Sequence, residues 1–209
     1  GESLVSSALK HLAILENEGF RDVVISVKSS SVTETIEAYR ELSQQTDCPL
    51  HLGVTEAGTF LRGTVHSSVA LGVLLSEGIG DTIRVSLTDE PEKEVKVGLE
   101  ILRSLNLRKG GVSVVSCPTC GRTKVDIVRI ANEVEQALNR VSAENRKSLS
   151  VRVAVMGCAV NGPGEAKGAD VALCGGDGEF ILYRNGEFVK KIPEPSAVEE
   201  VVKAVMMLQ

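Results

Sequence analysis

The chain has 209 residues, of which 43% are hydrophobic, and its 23 basic and 28 acidic side chains give a net charge of −5. That length builds one large or two small domains with an ample core. The acidic balance, 3% aromatic content and absence of Trp exclude the basic footprint and stacking platforms of a nucleic-acid binder, and no apolar run reaches the roughly 18 residues of a membrane span.

No secretory signal is visible, and the first residue is Gly, so the chain is expected to be a piece of a longer protein. Five cysteines, two of them in a CxxC, fit metal-binding thiolates in a reducing cytoplasm better than a disulfide framework.

Leu4, Leu9, Leu12 and Leu15 predict an amphipathic helix that stops at Gly19. Asp22 to Lys28 is a near-continuous apolar run, as in a parallel strand buried on both faces. A helix over Val32 to Gln45 follows, then a strand over Pro49 to Glu56 and a helix over Gly63 to Ser76. A third strand covers Asp81 to Leu87, and a helix started by Pro covers Pro91 to Leu105. This strand–helix alternation implies a parallel sheet, either barrel or doubly wound. Three strands of a (β/α)8 barrel leave about five unaccounted for.

Lys28, Glu56 and Arg84 lie 28 residues apart, each at or near the C-terminal end of its predicted strand. That end carries the active site in a barrel. With Thr55 and Ser86 beside them, the three predict a site with two cations for an anionic ligand and one carboxylate for acid–base work. The alternative is that charged residues simply terminate strands.

Asn106 to Gly111 reads as a hinge, and the boundary is placed so that residues 1–109 form the first domain and 110–209 the second. The second half predicts a strand over Val112 to Ser116, the loop Cys117-Pro118-Thr119-Cys120, a helix over about Lys124 to Val141, and a strand over Val151 to Met156. The loop Gly157-Cys158-Ala159-Val160-Asn161-Gly162-Pro163-Gly164-Glu165 comes next. Short strands over Asp170–Leu173, Glu179–Tyr183 and Glu187–Lys191 follow, the last two joined by an Asn185-Gly186 turn, and a helix over Ala197–Leu208 closes the chain.

A CxxC and a third cysteine, each leaving the end of a buried strand, point to a soft metal centre, either zinc or iron–sulfur. Gly157, Gly162 and Gly164 would let backbone N–H groups approach sulfur. Cys174, in LCGG, is a possible fourth thiolate. Cys48 reads as a structural thiol, and His11, His51 and His66 show no ligand spacing.

CPTCGR followed by GCAVNGPGE and an Asn-Gly hairpin resembles the C-terminal part of the 4-hydroxy-3-methylbut-2-enyl diphosphate synthase family, and SVKSS, LHLGVTEAG and LLSEGIGDTIRVSL are similar to its barrel segments. The resemblance implies an α/β chain made of the last three units of a (β/α)8 barrel plus a small α/β iron–sulfur domain. It implies a [4Fe–4S] cluster on Cys117, Cys120, Cys158 and Glu165, with Asn161 nearby. Carboxylate is a harder and more exchangeable ligand than thiolate.

The activity implied is reductive ring opening of 2-C-methyl-D-erythritol 2,4-cyclodiphosphate, with electrons from ferredoxin or flavodoxin. Lys28, Arg84 and Ser86 would bind the diphosphate. Thr55 and Glu56 would stand near the carbon skeleton, Glu56 as the catalytic acid or base. The family also implies a homodimer, in which the cluster domain of one subunit caps the partner's barrel, and a cytoplasmic or plastid-stromal location. The competing reading is a zinc-binding structural or interaction module on Cys117, Cys120, Cys158 and Cys174.

Overall fold

The structure is a computed structural model that describes residues 3–144, 150–160, 164 and 167–208. It divides into two units, Gly1–Arg108 and Lys109–Gln209.

In the first unit, helices α1 (Leu4–Asn17), α2 (Val32–Gln45), α3 (Phe60–Ser76) and α4 (Pro91–Ser104) alternate with extended segments. Ser31 caps α2 by accepting the Glu34 N–H at 3.3 Å, satisfying one donor that the first turn would otherwise leave open. Pro91 opens α4, with Glu92 and Glu94 in its first turn and Arg103 in its last, matching the helix dipole at both ends.

Strand β1 (His51–Leu52) pairs in parallel with β2 (Thr82–Ile83), and Ile25 bridges in parallel to Leu50. The regular ladders are shorter than the runs 22–28, 49–56 and 81–87 predict. Single hydrogen bonds carry the pairing further, from Thr55 N–H to Ser29 C=O at 2.9 Å and from Arg84 N–H to Leu52 C=O at 2.8 Å.

The sheet has two unlike sides. Ile25, Val27, Leu50, Leu52, Val54 and Val85 pack with Tyr39, Leu42, Leu71 and Leu74 in one core. Each such fully buried leucine contributes about 1.5–3 kcal/mol. Val24, Ser26 and Lys28 alternate with the buried residues and stay exposed, so the first strand is not buried on both faces as its apolar run predicts. The Tyr39 hydroxyl accepts the Val27 N–H at 3.2 Å and lies against the carbonyls of Val27 and His51. It thereby ties α2 to two strands.

Helix α3 starts at Phe60, not at Gly63. A Cβ on Gly63 would sit 2.5 Å from Leu87 Cδ2, so that glycine serves close packing inside the helix rather than marking its start.

The second unit is a five-stranded sheet in sequence order. Its strands are β3 (Gly111–Ser116), β4 (Ser150–Met156), β5 (Val171–Gly175), β6 (Glu179–Arg184) and β7 (Glu187–Pro193). The first three are parallel and the last two antiparallel to their neighbours.

Helices α5 (Ile127–Glu144) and α6 (Ala197–Met206) contribute to the core of this unit. Ile127, Ile130, Val134 and Leu138 recur at helical spacing along α5 and join Val153, Val155, Leu173 and Val201 in that core. Ala154, Met156, Ala169, Ala172 and Cys174 form a separate cluster of mostly small side chains. Asn185 and Gly186 both have positive φ (49° and 79°), the geometry of the tight hairpin turn that Asn-Gly signals.

Candidate functional site

Three parallel strands of the second unit end at one edge of the sheet, the edge where open α/β sheets bind ligands. Cys117 directly follows β3, and Cys158 lies two residues beyond β4. The Gly157 N–H donates to Cys117 Sγ at 3.2 Å, and the Lys124 N–H donates to the Gly157 carbonyl at 3.1 Å. One residue of the second sulfur loop, Gly157, therefore bonds to Cys117 at the start of the first loop and to Lys124 just beyond it.

Two glycines make this closeness feasible. A Cβ on Gly175, the last residue of β5, would sit 2.8 Å from the Gly157 carbonyl oxygen and 2.7 Å from Val125 Cγ2. A Cβ on Gly157 would meet the Thr123 side chain at 3.0 Å. By contrast, a Cβ on Gly164 would have nothing within 4 Å among the described residues. Gly162 lies outside them, as do Asn161 and Glu165, two of the residues singled out for the cluster site.

The cysteines occupy different environments. Cys117 and Cys158 are half-buried and Cys120 is exposed. Cys120 has its thiol pKa pulled below the ordinary value by the backbone N–H of Arg122 first and the Thr123 hydroxyl second. Hydrogen bonding to the charged form favours thiolate.

Cys174 is fully buried. Burial first, then negative charge on Cys158 and Cys117, pushes its thiol up to about 12. Without a metal ion it is a neutral thiol, packed with Ala154, Met156, Ala169 and Ala172. Among the described residues no three His, Cys, Asp or Glu side chains converge on a single ion. A cluster makes a different demand, because its ligands bind separate irons. Cys48 packs against the core of the first unit.

The polar side of the first unit carries the other candidates. Continuing the register of Ile25 with Leu50 and of Leu52 with Ile83 sets Lys28 opposite Gly53 and Gly53 opposite Arg84. Arg84 Nη1 donates to Ser86 Oγ. Its Nη2 lies 3.4 Å from Thr55 Oγ1 and 3.5 Å from the Gly53 carbonyl oxygen. A Cβ on Gly53 would come within 3.1 Å of Nη2, so the glycine gives the guanidinium room to lie across the neighbouring strand. Arg84, Ser86 and Thr55 thus form one contact group, with Lys28 exposed on the same row.

Glu56 is set apart from that row. It sits in a turn beyond the strand, exposed, with φ +54°. Left-handed backbone costs a non-glycine residue about 1–2 kcal/mol, and such outliers cluster at functional sites. Of the histidines, His51 Nδ1 lies 2.7 Å from Thr82 Oγ1 and His11 Nδ1 lies 2.8 Å from the Ser7 carbonyl.

Sequence reasoning missed Gly53, Thr123 and Gly175. The only available signals were a glycine inside a strand pattern and a Gly-Gly pair at a strand end.

Comparison with known proteins gives matches in both halves. Residues 1–99 match the GcpE TIM-barrel domain and residues 113–207 the GcpE protein C-terminal domain. A protein of Clostridium acetobutylicum named 4-hydroxy-3-methylbut-2-en-1-yl diphosphate synthase (flavodoxin) is 54% identical over 204 residues, covering 98% of this chain and 57% of its own length. Proteins of the same name from Ruminiclostridium cellulolyticum and Geobacter sulfurreducens are 53% and 52% identical, each over 98% of this chain and 56% of its own length. The chain spans little more than half the length of these curated relatives.

Proposed function

The chain belongs to the GcpE family, and on that premise we propose that it is the C-terminal portion of an enzyme that opens 2-C-methyl-D-erythritol 2,4-cyclodiphosphate reductively to 4-hydroxy-3-methylbut-2-enyl diphosphate. In this reading the first unit is the last part of a (β/α)8 barrel and binds substrate, while the second is an iron–sulfur domain. The reaction consumes two electrons and two protons, breaks the ring C–O bond and a second C–O bond, and releases one water.

The observation that carries the reading is the supply of hydrogen-bond donors to sulfur at the strand ends. Gly157 N–H reaches Cys117 at 3.2 Å, and the Thr123 hydroxyl lies 3.8 Å from Cys120 Sγ. Donors aimed at thiolate sulfur are what an iron–sulfur site needs from its surroundings, so the residues present fit such a group. Cys117, Cys120, Cys158 and Glu165 would hold a [4Fe–4S] cluster, with Asn161 beside it. When bound, the cluster supplies single electrons to the substrate. The Glu165 carboxylate would bind more exchangeably than a thiolate.

The remaining work falls to side chains. Arg84, braced by Ser86 and facing Thr55, presents its guanidinium to the diphosphate, and Lys28 adds a second cation. Glu56, held on its left-handed turn, is the acid–base residue for the carbon skeleton. Electrons come from flavodoxin, the donor in the relatives' names, or from ferredoxin. The working assembly is a homodimer in which one subunit's cluster domain caps its partner's barrel. No described helix is long and apolar enough to cross a membrane, and a cytoplasmic site fits thiolate chemistry.

The test is anaerobic reconstitution of the wild type and Glu165→Ala, with turnover measured on the complete enzyme. The variant should keep most of its cluster and lose turnover; undiminished turnover would remove Glu165 from the ligand set.

A further inference from the structure

The Thr123 side chain stands where the sulfur loops of the second unit meet. Its Oγ1 accepts the Cys120 N–H at 3.2 Å and lies 3.8 Å from Cys120 Sγ. Its own N–H donates to the Cys120 carbonyl at 3.0 Å, closing the turn Cys120-Gly121-Arg122-Thr123. The same side chain fills the space a Cβ on residue 157 would take, with Cγ2 and Oγ1 at 3.0 and 3.1 Å from that position. Gly157 in turn donates to Cys117 Sγ and directly precedes Cys158. One threonine thus touches Cys120 directly and the backbone that sets Cys117 and Cys158.

We propose that Thr123 is a positioning residue whose hydroxyl fixes Cys120 and raises the reduction potential of the iron–sulfur group held there. The proposal rests on the cluster reading given above. Its physics is the hydroxyl rotor. The oxygen accepts from the Cys120 amide with a lone pair, so its one proton is free to point at sulfur.

A donor on a ligating sulfur stabilises the more negative, reduced state more than the oxidised one. Of the two close variants, Ser retains the donor and loses the methyl, whereas Val keeps both branches and lacks the donor. An amide left without its acceptor in a valine variant would also loosen the turn that presents Cys120.

The experiment is a redox titration followed by electron paramagnetic resonance on reconstituted wild type, Thr123→Val and Thr123→Ser, with iron and sulfide measured on each sample. Thr123→Val should move the midpoint to lower potential, reducing the ratio of reduced to oxidised cluster at fixed poise by about tenfold, the scale of one hydrogen bond to a charged group. Thr123→Ser should stay within about twofold of wild type. Thr123→Val losing its cluster while Thr123→Ser keeps it also supports the hydroxyl's role.

An unchanged midpoint in Thr123→Val overturns the proposal and leaves the cluster reading standing. Equal shifts, or loss of the cluster, in both variants show that retaining the hydroxyl is not enough and overturn it too. A wild-type chain that takes up no iron or sulfide removes the cluster reading, and the proposal with it.

Discussion

Gly175 and Gly157 meet backbone to backbone: a Cβ on the first would lie 2.8 Å from the carbonyl oxygen of the second. That carbonyl accepts the Lys124 N–H, and the amide of the same residue donates to Cys117. The end of β5 therefore acts as a wall behind the peptide that gathers the sulfur loops. Side chains can rotate out of a clash, but a backbone oxygen in this arrangement can move only by displacing both hydrogen bonds. Gly175→Ala is expected to cost about 1–3 kcal/mol, the scale of overpacking, and to lower iron content. Denaturant midpoints and iron analysis check it; a variant as stable and as iron-rich as wild type contradicts it.

Cys174 tests whether burial or ligation governs the thiol. As a neutral side chain in the small-residue cluster, it should be dispensable for the metal. Cys174→Ala should retain full iron and sulfide and lose about 1 kcal/mol of stability from the vacated volume. Alkylation of the native, metal-free chain should spare Cys174 while modifying the exposed Cys120. A variant without iron would return Cys174 to the ligand set.

The buried Tyr39 predicts an alkaline limb. Burial raises its pKa above the ordinary tyrosine value of about 10. Between that value and the higher folded one the native state holds a proton that the unfolded state has lost, so stability falls as pH rises. The contribution is fully present below about pH 10 and is lost progressively above it. Stability curves of wild type and Tyr39→Phe from pH 8 to 12 check this. The variant should be less stable at pH 8, by about 1–3 kcal/mol for the unpaired Val27 amide, and the difference should shrink above about pH 10. A constant difference contradicts it.

For the proposed anion site, Arg84→Met keeps the aliphatic stem and removes the charge. Pyrophosphate binding by calorimetry should weaken about tenfold or more, the loss of one charge-assisted bidentate contact. Ser86→Ala, which removes only the hydroxyl bracing Nη1, should weaken it by a few-fold. Equal affinity in Arg84→Met would remove Arg84 from the site.

Much of the architecture was legible because it follows local rules. The span of α2, the proline start of α4 and the Asn185-Gly186 turn are each set by a cap, a fixed φ or a positive φ. The strand ends bearing Cys117 and Cys158 followed from short β-type runs that stop at Pro and Gly. What was not legible depends on approach in space. Gly63 reads as a helix start until Leu87 is known to lie over it. Gly53 looks like a weak point in a strand until the Arg84 guanidinium folds across it. LCGG gives no sign that its thiol points into a core, because a cysteine suits a hydrophobic cluster as well as a metal. The left-handed turn at Glu56 has no local signature, since glutamate does not favour it.

The central claim is that the second unit holds a redox cluster rather than a single ion, and anaerobic iron, sulfide and zinc analysis of the reconstituted chain tests it most directly. About four iron and four sulfide per chain is the predicted result. About one zinc per chain with no sulfide would contradict it.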